Sequence, residues 1–239
     1  MKSIFSYAIT KLSNARNWPL GFLVSIGLLG GCFWAVAELT DEVLEGETQS
    51  FDERVLMSMR SSGDLSDPVG PPALEEVGRD LTALGGVTIL TLLIVAVSSY
   101  LVLTRRLRTA ILVVVATGSG IVVSSLLKIG FDRPRPDLVA HHSHVATSSF
   151  PSGHSMMAAI CYLTLAALLA SVEKSRRVKL FLLSTAVFLT MLVGLSRVYM
   201  GVHWPTDVVA GWLMGAIWAI GSLLVADLLQ KRGQIEEEA

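Results

Sequence analysis

Charged residues and cysteines are scarce in this sequence of 239 residues. Only 16% of the residues are Asp, Glu, Lys or Arg, whereas 52% are apolar, and the mean hydropathy is +0.59. So little charge is atypical of a soluble domain and is typical of a polytopic membrane protein. The formal net charge is −1, so the chain lacks the basic excess that a polyanion would require, and we expect no nucleic-acid partner.

Recognisable metal and nucleotide motifs are also missing. The two cysteines, Cys32 and Cys161, both lie in apolar runs, where they are interpreted as small buried hydrophobic residues, without a disulfide or a metal. There is no Walker loop and no carboxylate cluster with metal-ligand spacing. His141, His142 and His144 have no suitably spaced Cys, Asp or Glu, so a solvated loop is the preferred interpretation. We therefore expect neither a metal nor a cofactor.

Long apolar runs are abundant. A helix that crosses the hydrocarbon needs about 20 apolar residues, and lipid offers no partner to an unpaired backbone group. Six runs approach this length, at 18–38, 83–104, 108–129, 154–172, 179–199 and 206–229. The sequence therefore predicts an all-α, polytopic membrane protein with six transmembrane helices.

The basic residues beside these runs predict the orientation. They form four clusters: Lys2, Lys11 and Arg16; Arg105, Arg106 and Arg108; Lys174, Arg176, Arg177 and Lys179; Lys231 and Arg232. Six crossings place all four clusters, which hold 12 of the 19 basic residues, on one side, and the positive-inside rule makes that side cytoplasmic. Both termini are then cytoplasmic. Ala35-Val36-Ala37 resembles a signal-peptidase site, so cleavage of the first run is the alternative to a retained helix.

Residues 40–82 form one long external insertion within a single membrane-embedded domain, 1–239. Ser50-Phe51-Asp52-Glu53 fits a capping box before a helical pattern, and Pro71-Pro72 opens a second amphipathic stretch. We expect two short helices at the membrane surface or over the external loops. A packing cap is the preferred interpretation, and a lid or substrate gate is the alternative.

Three short stretches carry residues suited to chemistry, and each lies at the external end of a predicted helix. They run from Lys128 to Pro136, from Pro151 to His154 and from Ser196 to Asp207. Only seven basic residues lie on this side, and four of them fall in the segments after the third and fifth helices. Positive charge retained against the orientation rule indicates an anionic ligand.

Local geometry explains why these residue types suit a phosphate. Arg135 lies between two prolines, which stiffen the loop and hold its guanidinium for bidentate contact with phosphate oxygens. Gly153, at a helix N-terminus, lets an anion approach free backbone N–H groups. Asp207 follows His203 by four residues, so its carboxylate can bind one ring nitrogen and leave the other free to attack. Such an arrangement favours phosphoryl transfer.

The three stretches resemble the signature motifs of the type 2 phosphatidic acid phosphatase superfamily, in its bacterial membrane branch. The family pattern is K-x6-R-P, then P-S-G-H, then S-R-x5-H-x3-D, and all three occur here in order without a substitution. The resemblance implies metal-independent hydrolysis of a lipid phosphate or diphosphate ester through a phosphohistidine. It also implies a bacterial inner or plasma membrane location, with the last four helices gathering the site at the periplasmic or extracellular face.

The resemblance further assigns roles to individual residues. His203 would be the nucleophile, Asp207 would orient it, and His154 would protonate the leaving oxygen and then activate water. The residues expected to bind the phosphate are Lys128, Arg135, Ser152, Gly153 and Arg197. Arg133 is not a motif position, and it is expected either to contact the substrate or to face water.

Alternatives exist for the reaction, the substrate and the assembly. A phosphotransferase that moves phosphate between two lipids would use the same residues, and a vanadium-dependent haloperoxidase shares the same anion-binding residues. A transporter is disfavoured, because it would place its charges at the bilayer midplane rather than at the membrane boundary. Undecaprenyl diphosphate or another isoprenyl diphosphate, phosphatidylglycerophosphate, phosphatidic acid and lipid A phosphates all fit as substrates. Gly211 and Gly215 form a G-x-x-x-G pair that packs helices either within a monomer or in a homodimer.

Overall fold

The apolar runs fold into helices, because a helix satisfies its backbone hydrogen bonds within one segment. The structure is a computed structural model that describes residues 20–137 and 148–232. Its helices are α1 (Leu20–Glu45), α2 (Gln49–Ser58), α3 (Pro72–Ala83), α4 (Val87–Leu103), α5 (Leu107–Leu127), α6 (Gly153–Ala158, a π-helical turn at Ala159–Leu163, then Thr164–Val172), α7 (Arg176–Tyr199) and α8 (Pro205–Lys231).

Within the described ranges, five helices are long and apolar enough to cross a membrane by themselves, namely α1, α5, α6, α7 and α8. A sixth crossing arises if α3 and α4, which meet at a bend of 52°, are counted as one span. The second predicted run, 83–104, is thus a shorter helix, Val87–Leu103, that continues a helix of the insertion. The prediction of an all-α, multi-pass membrane protein is confirmed.

Helix α6 occupies the centre of the bundle, where α5, α7 and α8 pack around it. Met156, Ile160 and Cys161 are among its fully buried side chains, and they belong to the main hydrophobic core. The thiols of Cys161 and Cys32 are both free. Because α6 begins at Gly153, this central position brings the start of α6 into the middle of one end of the bundle.

The glycine pair of α8 packs against α6 of the same chain. A Cβ atom at Gly211 would lie 2.8 Å from the carbonyl oxygen of Ser152, and one at Gly215 would lie 2.3 Å from the Cβ of Ala159. Only glycine permits this approach between the two backbones. The pair therefore packs helices within the monomer, which is the first of the two predicted alternatives.

Residues 46–86 connect α1 to α4, and we call them the cap segment. They comprise α2, a two-stranded antiparallel hairpin of β1 (Arg60–Ser61) and β2 (Asp64–Pro68), and α3. Both predicted helices are present, and Pro72 opens α3. The hairpin was not predicted, since such short strands leave almost no alternation to detect. The predicted capping box is wrong, because the N-cap residue of α2 is Thr48 and Ser50 therefore lies inside the helix.

Polar contacts dock the cap segment onto the last turn of α7. Arg60 Nη2 donates a hydrogen bond of 2.8 Å to the carbonyl oxygen of Tyr199, and the Tyr199 hydroxyl donates one of 3.1 Å to the carbonyl oxygen of Val69. The hydroxyls of Thr82 and Ser196 lie 2.7 Å apart. Arg60 thus supplies a donor to a helix end whose carbonyls lack intrahelical partners. These contacts favour a packing cap over a mobile gate.

Candidate active site

Four helix ends meet at one end of the bundle, which we call the site end. Helices α5 and α7 end there, and α6 and α8 begin there. The three motif stretches are thus brought together, although 79 positions separate Lys128 from Asp207. The backbone N–H of Ser152 donates to the carbonyl oxygen of Asp207 at 2.9 Å, which joins the second motif to the third. The side chain of Lys128 lies directly over Gly153, which joins the first motif to the second.

The imidazole of His203 is held between a carboxylate and a guanidinium. Its Nδ1 lies 3.4 Å from Asp207 Oδ2, and its Nε2 lies 3.4 Å from Nη1 of Arg135. The ring is 1% exposed. Burial lowers the pKa of His203 to about 4, even though the hydrogen bond and charge of Asp207 raise it. The resting ring is therefore neutral at pH 7, as a nucleophile must be, and its Nε2 side faces the cations.

Asp207 is fixed by hydrogen bonds to both of its oxygens. Its Oδ2 accepts from the Ser149 hydroxyl and, at 2.9 Å, from the backbone N–H of Trp204, while its Oδ1 accepts from Arg133 Nη1 at 2.6 Å. The Ser149 hydroxyl also lies 3.4 Å from His203 Nδ1. Sequence reasoning missed Ser149, which lies just before the second motif and carries no local signal of its own.

Arg133 lies between two carboxylates. Its Nη1 bonds to Asp207 and to the Thr206 hydroxyl, at 2.6 and 2.8 Å, and its Nη2 bonds to Asp52 Oδ2 at 2.7 Å. The guanidinium also lies 5.8 Å from the centre of the Trp204 ring. Its side chain is 11% exposed. Both terminal nitrogens thus have protein partners, an arrangement different from the predicted contact with substrate or with water.

Three cations of the motifs converge with little carboxylate to neutralise them. Burial, followed by the nearby charges of Arg135 and Arg197, lowers the pKa of Lys128 to about 8, and burial also lowers the pKa of Arg135. The Nε of Arg197 is buried and has no hydrogen-bond partner in the described part of the chain. Like charges that are partly buried together are costly by themselves, and an oxyanion placed among them would offset their charge and could accept from Arg197 Nε.

His154 is the second residue of α6, and the cap segment packs behind it. A Cβ atom at Gly85 would lie 3.1 Å from the carbonyl oxygen of His154 and 3.2 Å from its Cβ. The positive charges that act on His154 include those of Arg197, Lys128 and Arg135, so its ring lies near these three cations, which we call the cradle. Gly153 beside it is the first residue of the helix, where backbone N–H groups lack intrahelical acceptors.

The structure thus gathers every residue that the motifs predicted: Lys128, Arg135, Ser152, Gly153, His154, Arg197, His203 and Asp207. Their roles in binding and catalysis remain predictions. Among residues 20–137 and 148–232 there is no group of three or more His, Cys, Asp or Glu side chains that could hold a metal ion. The histidines at 141, 142 and 144 lie outside the described residues.

Comparison with known proteins shows the family of this chain. The family model described as the PAP2 superfamily matches residues 109–231. Phosphatidylglycerophosphatase B of Bacillus subtilis (strain 168) is 36% identical over 148 residues, which are 61% of this chain and 72% of that protein. An undecaprenyl-diphosphatase of Sulfolobus acidocaldarius is 41% identical over 68 residues, 28% of this chain and 29% of that protein. A Lipid A 1-phosphatase of Rhizobium johnstonii is 30% identical over 112 residues, 43% of this chain and 42% of that protein.

Two solved structures are also similar. One is a transmembrane PAP2-type phosphatidylglycerolphosphate phosphatase from Bacillus subtilis, with a TM-score of 0.74 and 29% identity, and the match covers 85% of this chain and 96% of that one. The other is Aquifex aeolicus LpxE, with a TM-score of 0.50 and 29% identity over 65% of this chain and 88% of that one. The family match includes all three motif stretches, and this chain therefore belongs to the PAP2 superfamily, as the motifs predicted.

Proposed function

We propose that this protein hydrolyses a lipid phosphate or diphosphate monoester, with His203 as the nucleophile. One observation carries the proposal: the Nε2 side of a neutral, buried imidazole faces the convergent cations, while its Nδ1 side faces Asp207. A phosphate bound by Lys128, Arg135 and Arg197 would therefore lie next to the attacking nitrogen. Cations that stabilise the charge of a transferring phosphoryl group are the main catalytic requirement of such chemistry.

The reaction proceeds in two steps. In the first, His203 Nε2 attacks phosphorus, the bond from phosphorus to the leaving oxygen breaks, and His154 gives that oxygen a proton. In the second, His154 takes a proton from water, the water oxygen attacks phosphorus, and the bond from Nε2 to phosphorus breaks to release orthophosphate. Asp207 stabilises the positive charge that the His203 ring acquires while it is phosphorylated.

The site end is proposed to face the periplasm or the extracellular space. Helix α5 runs from the basic segment of residues 105–108 to Lys128, and α7 runs from the basic segment of residues 174–179 to Arg197. Basic segments favour the cytoplasmic side, so the opposite helix ends lie outside. A cysteine at Glu53, in a background without Cys32 and Cys161, should react with a membrane-impermeant maleimide in intact cells. A cysteine at Lys174 should react only after lysis, and the reverse pattern would contradict this orientation.

The substrate class follows from where the site lies. Cations at the ends of membrane helices are well placed for a phosphate that a lipid anchors at the membrane boundary. The similar proteins are named for phosphatidylglycerophosphate, undecaprenyl diphosphate and lipid A 1-phosphate. We favour a phosphatidyl phosphate or an isoprenyl diphosphate, because the similar proteins named for these substrates are 36% and 41% identical, whereas the Lipid A 1-phosphatase is 30% identical.

The test is release of orthophosphate by the purified protein from phosphatidylglycerophosphate, undecaprenyl diphosphate, phosphatidic acid and lipid A, in detergent and in liposomes. The wild type should release phosphate from at least one of them, and His203→Ala should lose about 1,000-fold or more of that activity, because no nucleophile remains. Arg79→Ala, an exposed control on α3, should keep it. Phosphate that appears only on a second lipid would contradict hydrolysis and identify a phosphotransferase.

A further inference from the structure

The cap segment reaches the candidate catalytic histidine through a chain of buried charges. Asp52, on α2, is completely buried, as is Asp207, and Arg133 bridges the two carboxylates. Asp207 in turn lies against His203 Nδ1. We propose that Asp52 and Arg133 are positioning residues for the reaction, which fix the orientation and the effective charge of Asp207 without touching the substrate. This inference rests on the proposed function of His203.

Asp52 is too well bonded to be an incidental contact. Its Oδ1 accepts the backbone N–H of Thr206 at 3.0 Å, and its Oδ2 accepts the Thr206 hydroxyl at 2.6 Å and Arg133 at 2.7 Å. Thr206 lies in the first turn of α8, where backbone N–H groups have no partner within the helix. A carboxylate from the cap segment therefore caps the helix that carries Asp207, and a fully buried charge keeps such partners firmly because losing them is costly.

Arg133 fixes the orientation of Asp207. The planar guanidinium holds Asp52 with Nη2 and Asp207 Oδ1 with Nη1, a geometry that a flexible ammonium group could not reproduce. With Oδ1 engaged, Asp207 turns Oδ2 toward His203. By binding Oδ1, Arg133 leaves Oδ2 as the Asp207 oxygen that faces the His203 ring.

Asp52 also sets the charge that His203 experiences. Two carboxylates and one guanidinium carry one net negative charge beside the imidazole, which favours the positive charge that develops as Nε2 attacks phosphorus. Without the charge of Asp52, Arg133 would neutralise Asp207, and this stabilisation would be lost. The effect acts on the transition state, since neither Asp52 nor Arg133 belongs to the cradle of Lys128, Arg135 and Arg197.

Charge balance gives a test that separates this role from simple packing. Asp52→Asn keeps the shape and can still accept the Thr206 N–H, yet removes the charge. It should lower kcat by about 10- to 100-fold with KM within about 3-fold of the wild type, because misplacing or weakening a catalytic group acts on the chemical step. Asp52→Glu keeps the charge, so it should recover several-fold in kcat over Asp52→Asn, whose side chain has the native length. A packing role predicts the opposite order, because the longer Glu side chain must displace Thr206 or Arg133 in a fully buried site.

An exposed carboxylate of the cap segment provides the control. Asp80→Asn, an exposed carboxylate on α3 of the same cap segment, should behave as wild type. An unchanged kcat in Asp52→Asn, a loss carried by KM, or an Asp52→Glu variant no more active than Asp52→Asn would overturn the inference. If Asp52→Asn does not fold, Arg133→Lys decides: a lower kcat at unchanged KM is expected, and a wild-type kcat overturns it. A wild type that releases no phosphate from any lipid would instead contradict the proposed function itself.

Discussion

The ammonium group of Lys128 lies on top of the α-carbon of Gly153, so that a Cβ atom at position 153 would be 2.9 Å from Cε and 3.0 Å from Nζ of the lysine. The first motif and the second are therefore in direct contact, and the contact requires a residue without a side chain. The position of the Lys128 charge therefore depends on the absence of a side chain at Gly153, and a substitution at Gly153 can test this dependence.

Gly153→Ala should displace the Lys128 side chain from the cradle. Because a hydrogen bond to a charged group contributes about 1.5–3 kcal/mol, we expect a loss of about 10- to 100-fold in kcat/KM. Steady-state kinetics on the best lipid substrate would measure it. Gly130→Ala is a matched control near the same helix end, since its Cβ would meet only the Leu127 carbonyl oxygen at 3.6 Å. Equal activity of the two variants would contradict the role of this contact.

The alkaline limb of the pH profile should report on Lys128. Its pKa is lowered to about 8, so the free enzyme loses this cation, and with it affinity for phosphate, as the pH rises above that value. We therefore expect kcat/KM to fall above pH 8. Lys128→Arg should move this limb to higher pH, because a guanidinium keeps its proton there. An alkaline limb at the same pH in wild type and variant would assign it to another group.

Arg197 should contribute to activity at a cost in stability. Its buried Nε has no hydrogen-bond partner among the described residues, and the guanidinium lies near the like charge of Lys128, so an apolar side chain at this position should relieve an unfavourable interaction. Arg197→Met should therefore unfold at a higher temperature than the wild type and yet lose almost all phosphate release. Thermal unfolding in detergent would show this.

Orthophosphate provides the matching control for Arg197. A ligand that binds only the folded protein raises its unfolding temperature, so millimolar orthophosphate should stabilise the wild type more than Arg197→Met. Equal stabilisation of both proteins, or a variant that unfolds at a lower temperature, would argue against an anion site at this arginine.

The contact between α8 and α6 should tolerate no side chain at Gly215. A Cβ there would lie 2.3 Å from the Cβ of Ala159, so Gly215→Val must separate the helices, and overpacking of this kind costs about 1–3 kcal/mol or more. The unfolding temperature and the activity should both fall, because the start of α6 carries His154. A Cβ at Gly221 on the same helix would meet no atom within 4 Å, so Gly221→Val should be close to wild type. A stable, active Gly215→Val would refute this packing.

Much of the fold could be predicted from the sequence, because the governing interactions are local. Five apolar runs became helices that can each cross a membrane, since length and hydropathy decide that property residue by residue. The second run was less well predicted, because its helix is shorter and joins α3 at a bend. Where a helix bends depends on what packs against it, and Gly85, at that bend, lies against Val193 and His154.

The candidate site residues could also be predicted, yet not what holds them. His203 and Asp207 are one helical turn apart, so their spacing alone predicts that they meet. Ser149 and Arg133 have no such local signal, and Arg133 was expected at the substrate or in water. Asp52 stands between Ser50 and Glu53 of the predicted capping box, and the pattern gives it no role of its own. Its actual partner, Thr206, is 154 positions away.

By itself the sequence determined the helices, the motif residues at their ends and the family, because hydropathy, residue spacing and signature patterns are properties of short stretches of chain. Only the tertiary structure decided that Gly211 and Gly215 pack against α6 of the same chain, and that Asp52, Arg133 and Asp207 form one buried charge network behind His203. The physical reason is that a buried charge must find an opposite charge wherever the fold provides it. The separation of two residues along the chain does not indicate which charges the fold will pair.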